Sequence, residues 1–296
     1  MRSAAALITS FCLVAFLAAG CGASPHATVT VTTTRTAATL RLKTAPAGLS
    51  VGVTGRLPLE VPGASIRPVS LDALGGQALV LVTRGKSAAL VAAAAAHAQI
   101  HFALIGRSAR ALHLANVTGI VLRDDQAVRL GGAIAALSAA EEGGRSARVA
   151  WVGPDEPLVD QFVRGVHDAV PHAVVLRAWS PSTPASCKEA ALGAIDRGAT
   201  VVMARGGLCA DAAIEGAHQQ NHPGLQLSDF ELPSIAAEQV VRAAVAGIYH
   251  GGEDVVFGAR SGAIAVRTLD PRISPQVAVR ARAAAQELAN GLRPTG

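Results

Sequence analysis

Aromatic side chains are nearly missing from this chain: Phe, Trp and Tyr make up 3% of its 296 residues, and there is a single Tyr. Proteins that grip nucleic-acid bases interleave aromatics with basic residues, and no such cluster occurs. The formal net charge of +5 comes from scattered arginines rather than a basic stripe. Zinc-ligand spacings and a helix-turn-helix pattern are also absent, so nucleic acid is not an expected partner. Catalytic signatures are equally scarce. There is no G-x-S-x-G elbow, no H-E-x-x-H frame and no cysteine paired with a base, which points to a binder and not an enzyme, with no cofactor. Only 16% of residues are charged and half are hydrophobic. A large core is therefore easy to bury, and small alanine side chains suit close packing of helices on sheets.

The first residues set the compartment. "MRS" supplies a positive charge, and residues 4–19 form an apolar stretch too short and wrongly flanked to span a membrane. It ends in "LAAGC", which looks like a bacterial lipoprotein signal with Cys21 as the lipidated residue. The position three before the cysteine, where a branched residue is usual, holds Ala18. Residues 1–21 are thus expected to be a signal. Residues 22–47, rich in Thr, Ala and Pro, are expected to form a flexible tether. The protein is then exported and held on the outer face of the cytoplasmic membrane. Of four cysteines, Cys12 lies in the signal and Cys21 carries the lipid, which leaves Cys187 and Cys209 in a compartment where pairing is permitted.

From residue 48 onward, apolar runs of strand length alternate with helical patterns. "LSVGVTG" (49–55), "SIRPVSL" (65–71), "ALVLVT" (78–83), "HFALIG" (101–106) and "VTGIVLR" (117–123) read as strands. A helix capped by Ser87 and another opened by Asp124 and Asp125 lie among them. Acidic residues in a first turn complement the helix dipole, so solvated capping is their expected role. A second series runs through "ARVAWVG" (147–153), "AVVLRAW" (173–179), "TVVMA" (200–204) and "LQLSDF" (225–230), again with helices between. A helix over 232–252, an extended pair over 254–270 and a last helix complete the chain. Repeated strand–helix alternation implies α/β architecture with parallel sheets.

Two junctions invite a phosphate reading and fail it. "TRGKSAALV" lacks the glycine a Walker motif needs, since Val80 stands there, and "RGGLCAD" lacks G-x-G-x-x-G. Both do lie at C-terminal ends of parallel strands, where open α/β sheets bind ligands. The pairs His97/His101 and His218/His222, each four apart, straddle helix ends and have no third ligand nearby, so no metal is expected. Cys187 follows one strand and Cys209 the next. Both fall on the same sheet edge, within reach of a disulfide, although two small buried side chains would satisfy the pattern as well.

The segments "NVTGIVLRDDQAVRLGGAIAAL", "RVAWVGPDEPLVDQFVRGVHDAVP", "CKEAALGAIDRGATVVMARGGLCADAAIEGAHQQ" and "AVAGIYHGGEDVVFGARSGAIAV" follow one another in consistent order over roughly 78–290. Together they resemble the basic membrane protein family, whose purine-nucleoside-receptor-like members are exported lipoproteins. The resemblance implies a two-lobed type I periplasmic-binding-protein fold that serves as the solute-binding component of an ABC importer. It also implies a nucleoside-like ligand between the lobes, held by aromatics, carboxylates and a glycine loop. The sequence departs from the family near its start. "VGVTGRLPLEVPGASIRPVS" leaves no room for the family's first helix and its acid, aromatic and Asn, so the first lobe is shortened. The lobes are expected to comprise 48–146 plus 230–256 and 147–229 plus 257–292.

The ligand-binding candidates are the residues at the strand ends. The first lobe offers Thr54, Thr83, Arg84, Ser87 and Gly106. The second offers Trp179, Gly206, Gly207 and Asp229, with Arg260 entering from the late extended segment. Expected partners are a small nucleoside-like molecule, a permease with its ATPase, and the membrane through the lipid. The alternative is a degenerate surface lipoprotein that acts as sensor or structural protein and has no transport ligand.

Overall fold

The computed structural model describes residues 48–83, 87–154, 157–179, 183–205, 207–249 and 251–291, all within one compact unit, Ala38–Gly296. Cys21, the tether, Arg84 and Gly206 lie outside the described residues. Strands β1 (Leu49–Thr54), β2 (Ala64–Pro68), β3 (Leu79–Val82), β4 (His101–Ile105), β5 (Val117–Leu122) and β10 (Val255–Phe257) form one sheet in the order β10-β5-β4-β3-β1-β2. Strands β6 (Arg148–Gly153), β7 (Val174–Trp179), β8 (Val201–Ala204) and β9 (Gly224–Gln226) form a second, ordered β7-β6-β8-β9. Every pairing in both sheets is parallel. Parallel strands buried on both faces require continuous apolar runs, and "LVLV" and "VVMA" are buried throughout.

Alternation along each strand divides the covers. In the first sheet Val80, Val82 and Phe102 face helix α1 (Ser87–Ala96), with Leu90, Ala93 and Ala94. Leu79, Leu81 and Ala103 face the opposite side with Ala236, Val240 and Ala244 of helix α6 (Pro233–Val245). In the second sheet Ala150, Val152, Val202 and Ala204 pack on the alanines of α4 (Pro184–Asp196) and α5 (Gly207–Gln219). Its other face, with Trp151 and Met203, meets α2 (Asp124–Gly143) and α3 (Pro157–Ala169). Helices α2 and α3 approach so closely that a Cβ on Gly132 or Gly165 would strike the backbone carbonyl of Phe162 or Arg129. The last helix, α7 (Pro275–Ala289), rests on α2.

No helix joins β1 to β2. The connection, residues 55–63, turns at Gly55 and Gly63, both at positive φ. It buries Val61 against the α6 side of the sheet, while Leu57 and Leu59 pack beside it. The first lobe is shortened at this point. Three expectations are corrected. The helix expected over 232–252 ends at Val245, and Gly247 takes positive φ just beyond. The strand expected over 225–230 stops at Gln226, because the Asp229 carboxylate accepts from the Gln226 N–H and turns the chain into a 3-10 turn. In the extended pair over 254–270 only β10 joins a sheet; its second half makes a single bridge, Ile264 with Glu231.

Candidate functional site

Register places the C-terminal ends of the strands in two rows. In the first sheet Thr54 lies beside Val82, and Gly106 N–H donates to the Ile120 carbonyl. Thr54 and Thr83 are brought together: the Thr83 N–H donates to Thr54 Oγ1 at 3.2 Å, and the Thr83 hydroxyl donates to the Thr54 carbonyl. Gly106 has φ +77° and open space where a Cβ would stand. Ser87 starts α1. In the second sheet Trp179 ends β7 opposite Gly153, and Arg205 N–H donates to the Val152 carbonyl at the end of β6. Gly207 opens α5 at φ +41°. Nothing is described of the side chains of Ser87 and Trp179.

Three segments join the sheets. The first is Arg123–Asp124, where the Arg123 N–H still donates to Phe257 of β10 while Asp124 begins α2. The second and third run antiparallel to each other: Leu232 N–H donates to Ala263, Ala265 N–H to Phe230, and Arg267 N–H to Asp229. At these crossings lies a polar set that strand-end reasoning missed. Asp124, at the mouth of β5, forms an ion pair of 3.7 Å with Arg205 at the mouth of β8. Glu231, on the second crossing, has one carboxylate oxygen buried without a hydrogen-bond partner among the described residues. Burial, followed by the neighbouring Asp124 carboxylate, pushes Glu231 up to about 8, and Arg205 only partly offsets this. A hydrogen bond with Asp124 adds to the rise, so the fold favours the protonated form of Glu231.

Asp229 has a local task. Its carboxylate accepts from the Gln226 N–H at 2.9 Å. Burial raises its pKa, the nearby Asp270 adds to the rise, and Gln226 N–H and Arg267 oppose it. Arg260 does not join the Thr54–Thr83 group in any described contact; it lines a depression with Arg123, Gln126 and Gly258. Cys187 and Cys209 are bonded, with Cα atoms 5.4 Å apart. That link pins the first turns of α4 and α5 together. The histidine pairs do not share helical faces: α1 ends at Ala96, before His97, and His101 belongs to β4. His218 Nε2 is engaged by the Asp270 carboxylate at 2.5 Å. Among the described residues no group of three His, Cys, Asp or Glu could hold a metal, and no helix is long and apolar enough to cross a membrane.

Two α/β lobes of parallel strands, bridged by three crossing segments, define the type I periplasmic-binding-protein-like fold. Among solved structures, the chain is similar to an ABC transporter system solute-binding protein from Conexibacter woesei, with TM-score 0.60 and 19% identity over 82% of this chain and 96% of that one. It is also similar to an ABC transporter solute-binding protein from Aeropyrum pernix, with TM-score 0.50 and 18% identity over 84% and 82%. A transcriptional activator of the comK gene from Bacillus halodurans shares the fold too, with TM-score 0.59 and 11% identity over 83% and 99%. No protein-family model matches the sequence, and no curated protein sequence matches it.

Proposed function

We propose that this chain is an extracytoplasmic solute-binding protein of an ABC importer, anchored through a lipid on Cys21, which takes an uncharged, hydroxyl-rich small molecule of nucleoside type between its two rows of strand ends. The observation that carries the reading is the unpartnered, buried oxygen of Glu231 beside Asp124 and Arg205. A buried polar atom without a partner costs about 1–3 kcal/mol, and a ligand hydroxyl at the crossings would recover that loss. Thr54 and Thr83 supply hydroxyls from the facing lobe. Gly106 and Gly207, both at positive φ with open space beside them, permit close backbone approach. The solute-binding neighbours support the fold side of this reading, and the resemblance to the basic membrane protein family supports the ligand class.

The test is a calorimetric and thermal-shift panel of nucleosides, free bases and sugars on the mature chain in detergent. Saturable binding of a nucleoside, weakened at least tenfold by Glu231→Ala, is expected. A second reading is favoured by one observation: the β1–β2 connection lacks the helix and loop that would complete the first-lobe wall. On that reading the chain is a sensor or structural surface protein, and the comK activator from Bacillus halodurans shows that the same fold occurs outside transport. No response to any member of the panel would favour it.

A further inference from the structure

Helix α2 presents two different polar faces at its start. Successive helical residues are about 100° apart, so Gln126 lies about 200° and Arg129 about 140° round from Asp124. Asp124 turns toward Arg205 and Glu231. The opposite face lines two adjoining depressions, of about 260 and 320 Å³, which share Arg123, Gln126, Leu288 and Gly291. Arg260 borders the first and Arg129 the second.

The charges in this groove are unevenly matched. Arg129 is paired with Asp168. Arg123 grips Asp125 through Nε and one Nη, both at 2.7 Å, which leaves its other Nη free of that pair. Arg260 is exposed and has no acidic partner among the described residues. Glycines keep the space open: a Cβ on Gly258 would stand 3.1 Å from Arg123 Cγ, and one on Gly291 3.9 Å from an Arg260 Nη. Two guanidiniums, on the first and third crossing segments, thus border one polar hollow.

We propose that this groove, on the opposite face of α2 from the acid–arginine set, is a second binding site that takes the oxyanion group of a small molecule, a phosphate or a carboxylate, between Arg260 and Arg123. Guanidinium groups match such oxyanions through paired N–H donors. Because Arg123 and Arg260 sit on different crossing segments, the bound oxyanion also ties those segments together. The site is independent of the ligand assigned to the strand ends.

The experiment titrates the mature chain in detergent with inorganic phosphate and, separately, citrate, against sodium chloride of equal ionic strength, by calorimetry. Saturable binding of at least one oxyanion, weakened tenfold or more by Arg260→Gln and unchanged by Arg280→Gln on the exposed side of α7, is the expected result. Circular dichroism melts confirm that both variants fold, as exposed positions allow. Heats no larger than those of chloride overturn the proposal. So does an equal loss in Arg280→Gln, which would mean diffuse surface charge. Loss in Arg205→Gln with retention in Arg260→Gln would place the anion at the strand ends instead and overturn it too.

Discussion

The two sheets solve the same packing problem with different covers. The first carries six strands, yet its β1–β2 connection has no helix, and a short loop with Val61 and the returning helix α6 do the covering. The second has four strands and full helical cover on both faces, tightened by glycines between α2 and α3 and by a disulfide between α4 and α5. In both, the register of the described strands keeps their C-terminal ends in a row. The wall behind a row of strand ends can thus be reduced while the row itself survives, because register, and not the cover, fixes where each strand ends. The second lobe should then be the stiffer of the two and hold its share of the site pre-formed.

The largest effect should come from forcing α2 and α3 apart. Gly165→Leu puts a side chain against the Arg129 carbonyl, and backbone, unlike a flexible side chain, cannot give way. Overpacking of this kind costs about 3 kcal/mol or more, so urea unfolding should show a collapsed midpoint or no folded protein. A near-normal midpoint would mean that the two helices are not in contact. Next comes the disulfide. Cys187→Ser with Cys209→Ser releases a loop with a sequence separation of 22, worth about 3 kcal/mol in the chain-entropy model. Reducing agent should lower the wild-type midpoint and leave the double variant unmoved. If the second lobe's loops depend on this link, ligand affinity should fall with it.

A pH series separates two buried groups, one per crossing or sheet. Glu231 is raised in the fold from 4.5 to about 8, first by burial and then by Asp124. Its contribution is fully present below about pH 4.5 and is lost as pH rises through about 8. Glu231→Gln should flatten that window by about 2 kcal/mol, since each unit is worth about 1.4 kcal/mol and the partly exposed Asp124 and Arg205 are screened by solvent. His101 of β4 behaves oppositely. Burial lowers its pKa, and its Nδ1 has no hydrogen-bond partner among the described residues, so the stability it permits is present above about 6.5 and is lost as pH falls. His101→Gln should flatten only the acid side. An unchanged pH profile in either variant would remove that group from the balance.

Much of this fold could be read from residue order, because buried parallel strands such as "LVLV" and "VVMA" leave an unbroken apolar signature. The shortened connection was also legible, since too few residues separate Thr54 from Ala64 for a helix. The course of the crossings was not, because their few backbone hydrogen bonds join segments far apart in sequence and leave no periodicity. That is why Asp229, and not Glu231, was read as the acid at the strand ends. Composition does not tell a carboxylate that caps its own turn from one, two residues later, that is buried with a free oxygen. Asp124 was read as a solvated cap for a similar reason, since its partner Arg205 is 81 positions away in sequence and only the fold of α2 onto the second sheet joins them. Arg260 shows the same limit: sequence set it beside the strand ends, whereas its contacts lie on the groove beyond α2.

The smallest expected effect sharpens the comparison of the two lobes most directly, because one substitution should change sign between them. Gly193 lies inside α4, exposed, with nothing within 4 Å of the place where a Cβ would stand. Alanine there adds helix propensity and narrows the unfolded ensemble, so Gly193→Ala should stabilise the protein by about 0.5–1 kcal/mol. Gly106, at the end of β4, also faces open space, but at φ +77°. There the side chain meets no neighbour and still disfavours the backbone, so Gly106→Ala should destabilise by about 1 kcal/mol. Equal space with opposite outcomes would separate packing from conformation at the two walls. If both variants shift the urea midpoint in the same direction, the left-handed turn at Gly106 is not what shapes the first lobe's row.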